Sequence, residues 1–286
     1  DNEEKINNIN SIITKRETIL SIDSDKIGKY IEEACIGLDR AAFFVQLRCG
    51  IRKVSEVNYK LMMVLMATVL LNDEWFHSDK ALNRLEAWYW SAILSGEFKK
   101  EQNKAFESNI KNVLICLNNI EKAFGKCDYI DKFADKKLLL MENPDYAPEE
   151  IIGNTICQFY LSRKYYDILK PNGKYEPKEI NIFTADEERI EKHHIMPIGE
   201  LRATYGEIEK KLGKKTDDNR RDDKACKYNS PLNFVYISKN ANIQISNLSL
   251  SIYQNYCDSA TLTALDIDGS TMRCSDDIKE LDVFSA

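Results

Sequence analysis

Two of the three histidines in this 286-residue chain are neighbours, His193 and His194, in the segment RIEKHHIMPIGE at 189–200. Imidazole changes charge close to neutral pH, with an ordinary pKa of about 6.5, and it is a common metal ligand. On a strand, consecutive side chains leave on opposite faces. A shared packing role is therefore awkward for the pair. A divided role is easier: one ring coordinates a metal while the other faces water. The remaining histidine, His77, stands before a helix-capping serine and has no functional reading of its own.

A second polar set follows in YNSPLNFVYISKNANIQISN at 228–247. NFVYIS is rich in β-branched and aromatic residues, as strands are. Asn233 opens it, and Asn242 stands nine residues later, at the start of a predicted short helix. The predicted order is a strand bearing His-His, a second strand, and a helix bearing Asn. The polar stretch GKKTDDNRRDDK lies between the strands and shows no apolar periodicity.

With that order, His193, His194, Pro197, Asn233 and Asn242 resemble the motif of an HNH endonuclease, a ββα-metal nuclease. The segments YDILKPNGKYEPKEINIF and NIQISNLSLSIYQNY, with the helical RCGIRKVSEVNYKLMMVLMATVLL upstream, are similar to GmrSD-type restriction proteins over roughly Ile36 to Tyr256. One part of that pattern is missing. No Asp-Gly-Gln-Gln-Arg string of the ParB-like nucleotide-binding half occurs, which implies either a C-terminal fragment or a separate subunit.

The resemblance implies a DNA endonuclease acting in restriction and anti-phage defence, often on base-modified DNA. Phosphodiester hydrolysis needs a deprotonated water and a cation to offset charge on the phosphorane. The resemblance makes His194 the base, His193 and Asn242 the metal ligands, and Asn233 the residue that fixes the His194 ring. Two protein ligands leave positions open for phosphate and water, which suits one Mg²⁺ or Mn²⁺. Ni²⁺, Co²⁺ or Zn²⁺ are substitutes that an imidazole tolerates. Lys239, Arg220, Arg221 and Lys227 are candidate phosphate contacts, with solvated charge as the default for each. Ser246 and Asn247 either reach phosphate or metal or end the helix, and Tyr253 fits the pattern or merely packs. Asp217, Asp218, Asp222 and Asp223 read as solvated loop charges, and Asp268-Gly269 as a turn. Two other readings compete: an HNH-shaped module that binds DNA or protein without cutting, and a helical protein whose histidine pair only caps a core.

These residues must be carried by a fold, and composition describes its outline. With 43% apolar and 30% charged residues the chain can bury a real core. All six prolines fall between Pro144 and Pro231, and this shift places a boundary at 143/144. The expected fold is α+β, mainly α: a helical bundle over 1–143, then a ββα-metal domain over 144–286 with its core motif at 189–250.

In the first part, VSEVNYKLMMVLMATVLL reads as a central helix capped by Ser55. SDKALNRLEAWYWSAILSG reads as a helix capped by Ser78, with Leu82, Leu85, Trp88 and Tyr89 recurring and Gly96 stopping it. EQNKAFESNIKNVLICLNNIEKAF places Phe106, Ile110, Val113, Leu114 and Leu117 on one face. IIGNTICQFYLSRKYYDIL reads as helix throughout, and EINIF as a strand.

The apolar run LMMVLMATVLL is eleven residues, too short to span a bilayer. No signal peptide is legible, and an N-terminus at Asp1 reads as a truncation or processing point. Eight scattered cysteines without a Cys-x-x-Cys pair suggest a reducing cytoplasm. The net charge of −6 opposes nonspecific coating of nucleic acid, yet residues 189–240 carry +4, leaving −10 elsewhere. A single HNH site cutting both strands would call for a homo-oligomer or two events.

Overall fold

The computed structural model describes residues 15–118, 150–163, 165–168, 179–180, 182, 189–195, 229–246, 257 and 259–264. The chain divides into two compact units, Asp1–Ala134 and Asp135–Ala286. It is mostly helical with small antiparallel strand pairs. Among the described residues, no helix is long and apolar enough to cross a membrane. The expected boundary at 143/144 lies outside the described residues.

In the first unit, a short α1 (Arg16–Leu20) precedes α2 (Ser24–Cys49). Asp23 starts α2 by accepting the Asp25 N–H, and Gly50, at φ 59°, ends it in the left-handed region. α2 packs along α3 (Lys60–Leu70), whose Met62, Leu65, Met66 and Leu70 are wholly or almost wholly buried. Ser55 does not cap this helix. It lies in a 3-10 turn, Val54–Glu56, and α3 begins after Tyr59 without a side-chain cap. The intervening carbonyls of Val54, Ser55 and Val57 accept from the Lys60 ammonium instead.

Next come α4 (Asp73–Phe76), α5 (Asp79–Leu94) and α6 (Gln102–Asn118). Ser78 caps α5 by accepting the Ala81 N–H at 3.3 Å, and Gly96, at φ 67°, follows its end. Leu85, Trp88 and Tyr89 are buried on α5, while Leu82 is half-buried. Phe106, Ile110, Val113 and Leu117 are buried on α6, with Leu114 half-buried beside them. The polar member of the α6 stripe, Asn109, accepts the Trp88 indole N–H at 2.7 Å and donates to the Ala105 carbonyl at 2.8 Å.

Gly37 lets α2 come close to α3, because a Cβ there would stand 2.7 Å from the Ala67 carbonyl oxygen. Gly28, on the same helix, would meet nothing within 4 Å. Alanine raises helix propensity by ~1 kcal/mol at either position. At Gly37 that gain is opposed by an overpacking cost of ~1–3 kcal/mol against rigid backbone. Thermal denaturation should therefore show Gly28→Ala melting at or above the native temperature and Gly37→Ala melting below it.

In the second unit, α7 (Glu150–Ser162) packs on a 3-10 turn (Pro231–Asn233), with Pro231 3.8 Å from where a Gly153 Cβ would be. The helix stops earlier than its apolar pattern predicts. Tyr165–Tyr166 forms a strand, β1, antiparallel to β2 (Glu179–Ile180), and Ile168 and Ile180 are fully buried. Tyrosine favours strands, and that pairing ends the helix. Of EINIF, only Glu179–Ile180 is strand; Ile182 lies in a turn, and Asn181 and Phe183 lie outside the described residues.

The second pair is β3 (Ile190–His194) against β4 (Phe234–Ser238), antiparallel, with His193 opposite Val235 and His194 opposite Phe234. α8 (Lys239–Ile245) follows β4 directly and packs on both strands. A further short helix, α9 (Ser259–Ala264), packs against β1. Ile190, Val235, Ile237 and Ile245 form the core beneath these elements.

Candidate functional site

The site grows from the junction where β4 becomes α8. Ser238 caps the helix by accepting the Ala241 N–H at 3.0 Å. The Ser238 hydroxyl and N–H both donate to the Asp167 carboxylate, tying the junction to the segment after β1. The Lys239 N–H donates to the Arg189 carbonyl at 3.1 Å, and Arg189 sits at φ 49°, a left-handed conformation that a bulky residue adopts only under constraint. These contacts hold the first turn of α8 over the start of β3 and bring Asn242 above the strand.

Glu191 and His193 are two residues apart on β3, so they share the face beneath α8. His193 Nδ1 lies 2.7 Å from Asn242 Oδ1, and Asn242 Nδ2 donates to Glu191 Oε2 at 2.6 Å. His193 is 5% exposed. Burial lowers its pKa below the ordinary 6.5, and the Asn242 hydrogen bond only partly opposes this. The ring is therefore neutral at neutral pH, the state in which imidazole serves as a ligand.

His194 leaves β3 on the other face, with Lys192 and the cross-strand Phe234. Its ring centroid is 4.3 Å from that of Phe234, and the Lys192 ammonium is 4.1 Å from the centre of the same ring. Asn229 Oδ1 lies 3.1 Å from His194 Nε2. An amide oxygen only accepts, so in this pairing Nε2 carries a hydrogen. The half-buried ring is thereby oriented.

Asn233 ends the 3-10 turn immediately before β4 instead of lying within the strand. It is 1% exposed, and its carbonyl accepts the Ile195 N–H at 2.8 Å, which closes the end of the strand pair at His194. No protein-family model, curated protein or solved structure matches this chain. The chemistry must be argued from the side chains themselves.

Lys239 is the first residue of α8 and half-buried, and Ser246 ends that helix, exposed, at φ 48°. Pro197, Arg220, Arg221, Lys227, Asn247 and Tyr253 lie outside the described residues, as do the loop aspartates 217, 218, 222 and 223 and the turn at Asp268-Gly269. Two residues of the site had not been singled out from the sequence. Glu191 had a legible signal, the two-residue step that puts it on the His193 face. Asn229 had none, because it reaches His194 from a turn. The face under α8 thus offers an imidazole nitrogen, a carboxamide oxygen and a carboxylate. Each donor type can serve a hard divalent cation, but here the three are hydrogen-bonded to one another in a chain.

Proposed function

We propose that the chain is a metal-dependent DNA endonuclease of the HNH kind, acting in restriction and anti-phage defence. The observation that carries this reading is the meeting of His193 and Asn242. The two residues are 49 positions apart in sequence and 2.7 Å apart in space, on a helix that directly follows an antiparallel strand pair. The pairing satisfies two polar groups at the core face, and its place at a strand–strand–helix junction is what favours this reading.

His193 would hold one Mg²⁺ or Mn²⁺ through the ring nitrogen that does not face Asn242. Asn242, expected as a second ligand, would instead orient that ring, because its oxygen faces Nδ1 and its nitrogen faces Glu191. When bound, that ion would offset negative charge gathering on the scissile phosphate and the leaving oxygen. His194, with its Nε2–H held by Asn229, would accept a proton from the attacking water at Nδ1. The two rings leave β3 on opposite faces, so a phosphodiester served by both must cross the end of the strand, where His194 is the last strand residue. Asn233 fixes that end through its carbonyl. Lys239, with Ser246 at the other end of α8, would meet the DNA backbone.

The substrate class is DNA, including base-modified phage DNA. A ParB-like nucleotide-binding half is the partner this reading anticipates, and the cytoplasm is the compartment. Incubation of supercoiled plasmid with the purified chain and Mg²⁺ or Mn²⁺ should give nicked or linear product, suppressed by chelation. Retention of plasmid without any cutting under all metal conditions would replace this reading with that of a binding module.

A further inference from the structure

Glu191 has no place in the catalytic reading above, yet it touches the residue on which that reading depends. Its carboxylate can accept hydrogen bonds and cannot donate them. The Asn242 atom 2.6 Å from it must therefore be the amide nitrogen, and the amide oxygen must face His193 Nδ1 at 2.7 Å. An oxygen there obliges Nδ1 to carry the hydrogen, which puts the lone pair of the neutral ring on Nε2.

We infer that Glu191 is a positioning residue. Through the Asn242 amide it fixes His193 as the Nδ1–H tautomer and presents Nε2 as the electron-donating nitrogen. The chain Glu191–Asn242–His193 thus does what a carboxylate does directly to a metal-bound histidine elsewhere, with a carboxamide inserted between the two. A carboxylate acceptor makes this stronger than a neutral pairing, because charge-assisted hydrogen bonds are roughly twice as strong. The amide is also an amplifier of constraint. Were it to rotate by half a turn, its oxygen would face the carboxylate and that contact would be lost, while its nitrogen would suit only the other tautomer of His193. The proposal deepens the endonuclease reading by naming which ring nitrogen the site uses, and its tautomer claim stands whether or not DNA is cut.

The test is nitrogen NMR of the full chain with ¹⁵N-labelled histidine. Its three rings are few enough to assign with a His193→Gln variant. At mildly alkaline pH the native protein should show a protonated-type Nδ1 and an unprotonated-type Nε2 for His193. Glu191→Ala should shift the ring toward the other tautomer and weaken Mn²⁺ binding, read by calorimetry, by roughly 10–100-fold. Glu191→Gln keeps an oxygen that can accept from Asn242 and should restore the native tautomer and most of the affinity.

A protonated Nε2 in the native chain overturns the inference without any variant being needed. So does a Glu191→Ala ring indistinguishable from native. If native protein binds Mn²⁺ and cuts DNA while the ring ignores Glu191, the relay is wrong and the nuclease reading stands. If the ring responds as expected but the chain neither binds Mn²⁺ nor cuts DNA, the relay is right and the nuclease reading falls.

Discussion

Replacing His194 with alanine is expected to lower DNA cleavage by about 10²–10⁴-fold, the usual contribution of a positioned general base. Binding of DNA and of Mn²⁺ should be nearly unchanged, because the ring lies on the face of β3 opposite His193 and Asn242. The fold should survive, since the aromatic contact with Phe234 at 4.3 Å is worth only about 0.5–1.5 kcal/mol. Cleavage rates measured at saturating metal, beside filter-binding of the same plasmid, separate the two effects. An alanine variant that cuts at the native rate would mean that the base lies elsewhere and that His194 only packs on Phe234.

Asn242→Ala should act on binding and chemistry together. It removes the acceptor of His193 and the donor to Glu191 in one step. Cleavage should fall on the order of 10²-fold or more, as charge stabilisation worth several kcal/mol is lost with the cation. Mn²⁺ affinity should fall with it, in contrast to His194→Ala. Stability should drop by about 1–3 kcal/mol, because a buried imidazole N–H is left without its acceptor. Asn242→Asp is a sharper variant. It places a carboxylate where the amide nitrogen met Glu191 at 2.6 Å, so two like charges would share the space. That protein should melt lower than native without metal and recover on addition of Mn²⁺. Equal melting of Asn242→Asp and native protein, with and without Mn²⁺, would argue against cation binding at this face.

The helical half was legible wherever local chemistry decides structure. Ser78 and Gly96 bracket α5 as their residue types predict, because a cap and a left-handed stop act within one turn. Ser55 failed as a cap for the same local reason: the chain between it and Lys60 winds a 3-10 turn held by the lysine ammonium, which a capping pattern does not encode. Tyr165–Tyr166 failed because its partner, Glu179–Ile180, is not local, and helix and strand patterns are hard to separate over two residues. At the site, the two asparagines and two histidines were visible as types at a spacing. The Glu191 contact required knowing that α8 lies over the odd-numbered face of β3, which is tertiary information.

The register of β3 gives the doubled histidine a further consequence. Slide the strand by one position against β4 and each side chain changes sides: one of the two histidine positions keeps an imidazole, and the other receives Ile195 or Lys192. The histidines alone resist such a slip only at one of the two positions. What forbids it is their neighbours, since Ile190 and Ile195, both buried, and the exposed ammonium of Lys192 would all trade surroundings. Burying that ammonium unpaired costs several kcal/mol. Lys192, a residue with no part in the chemistry, therefore helps to keep His193, and not His194, beneath Asn242.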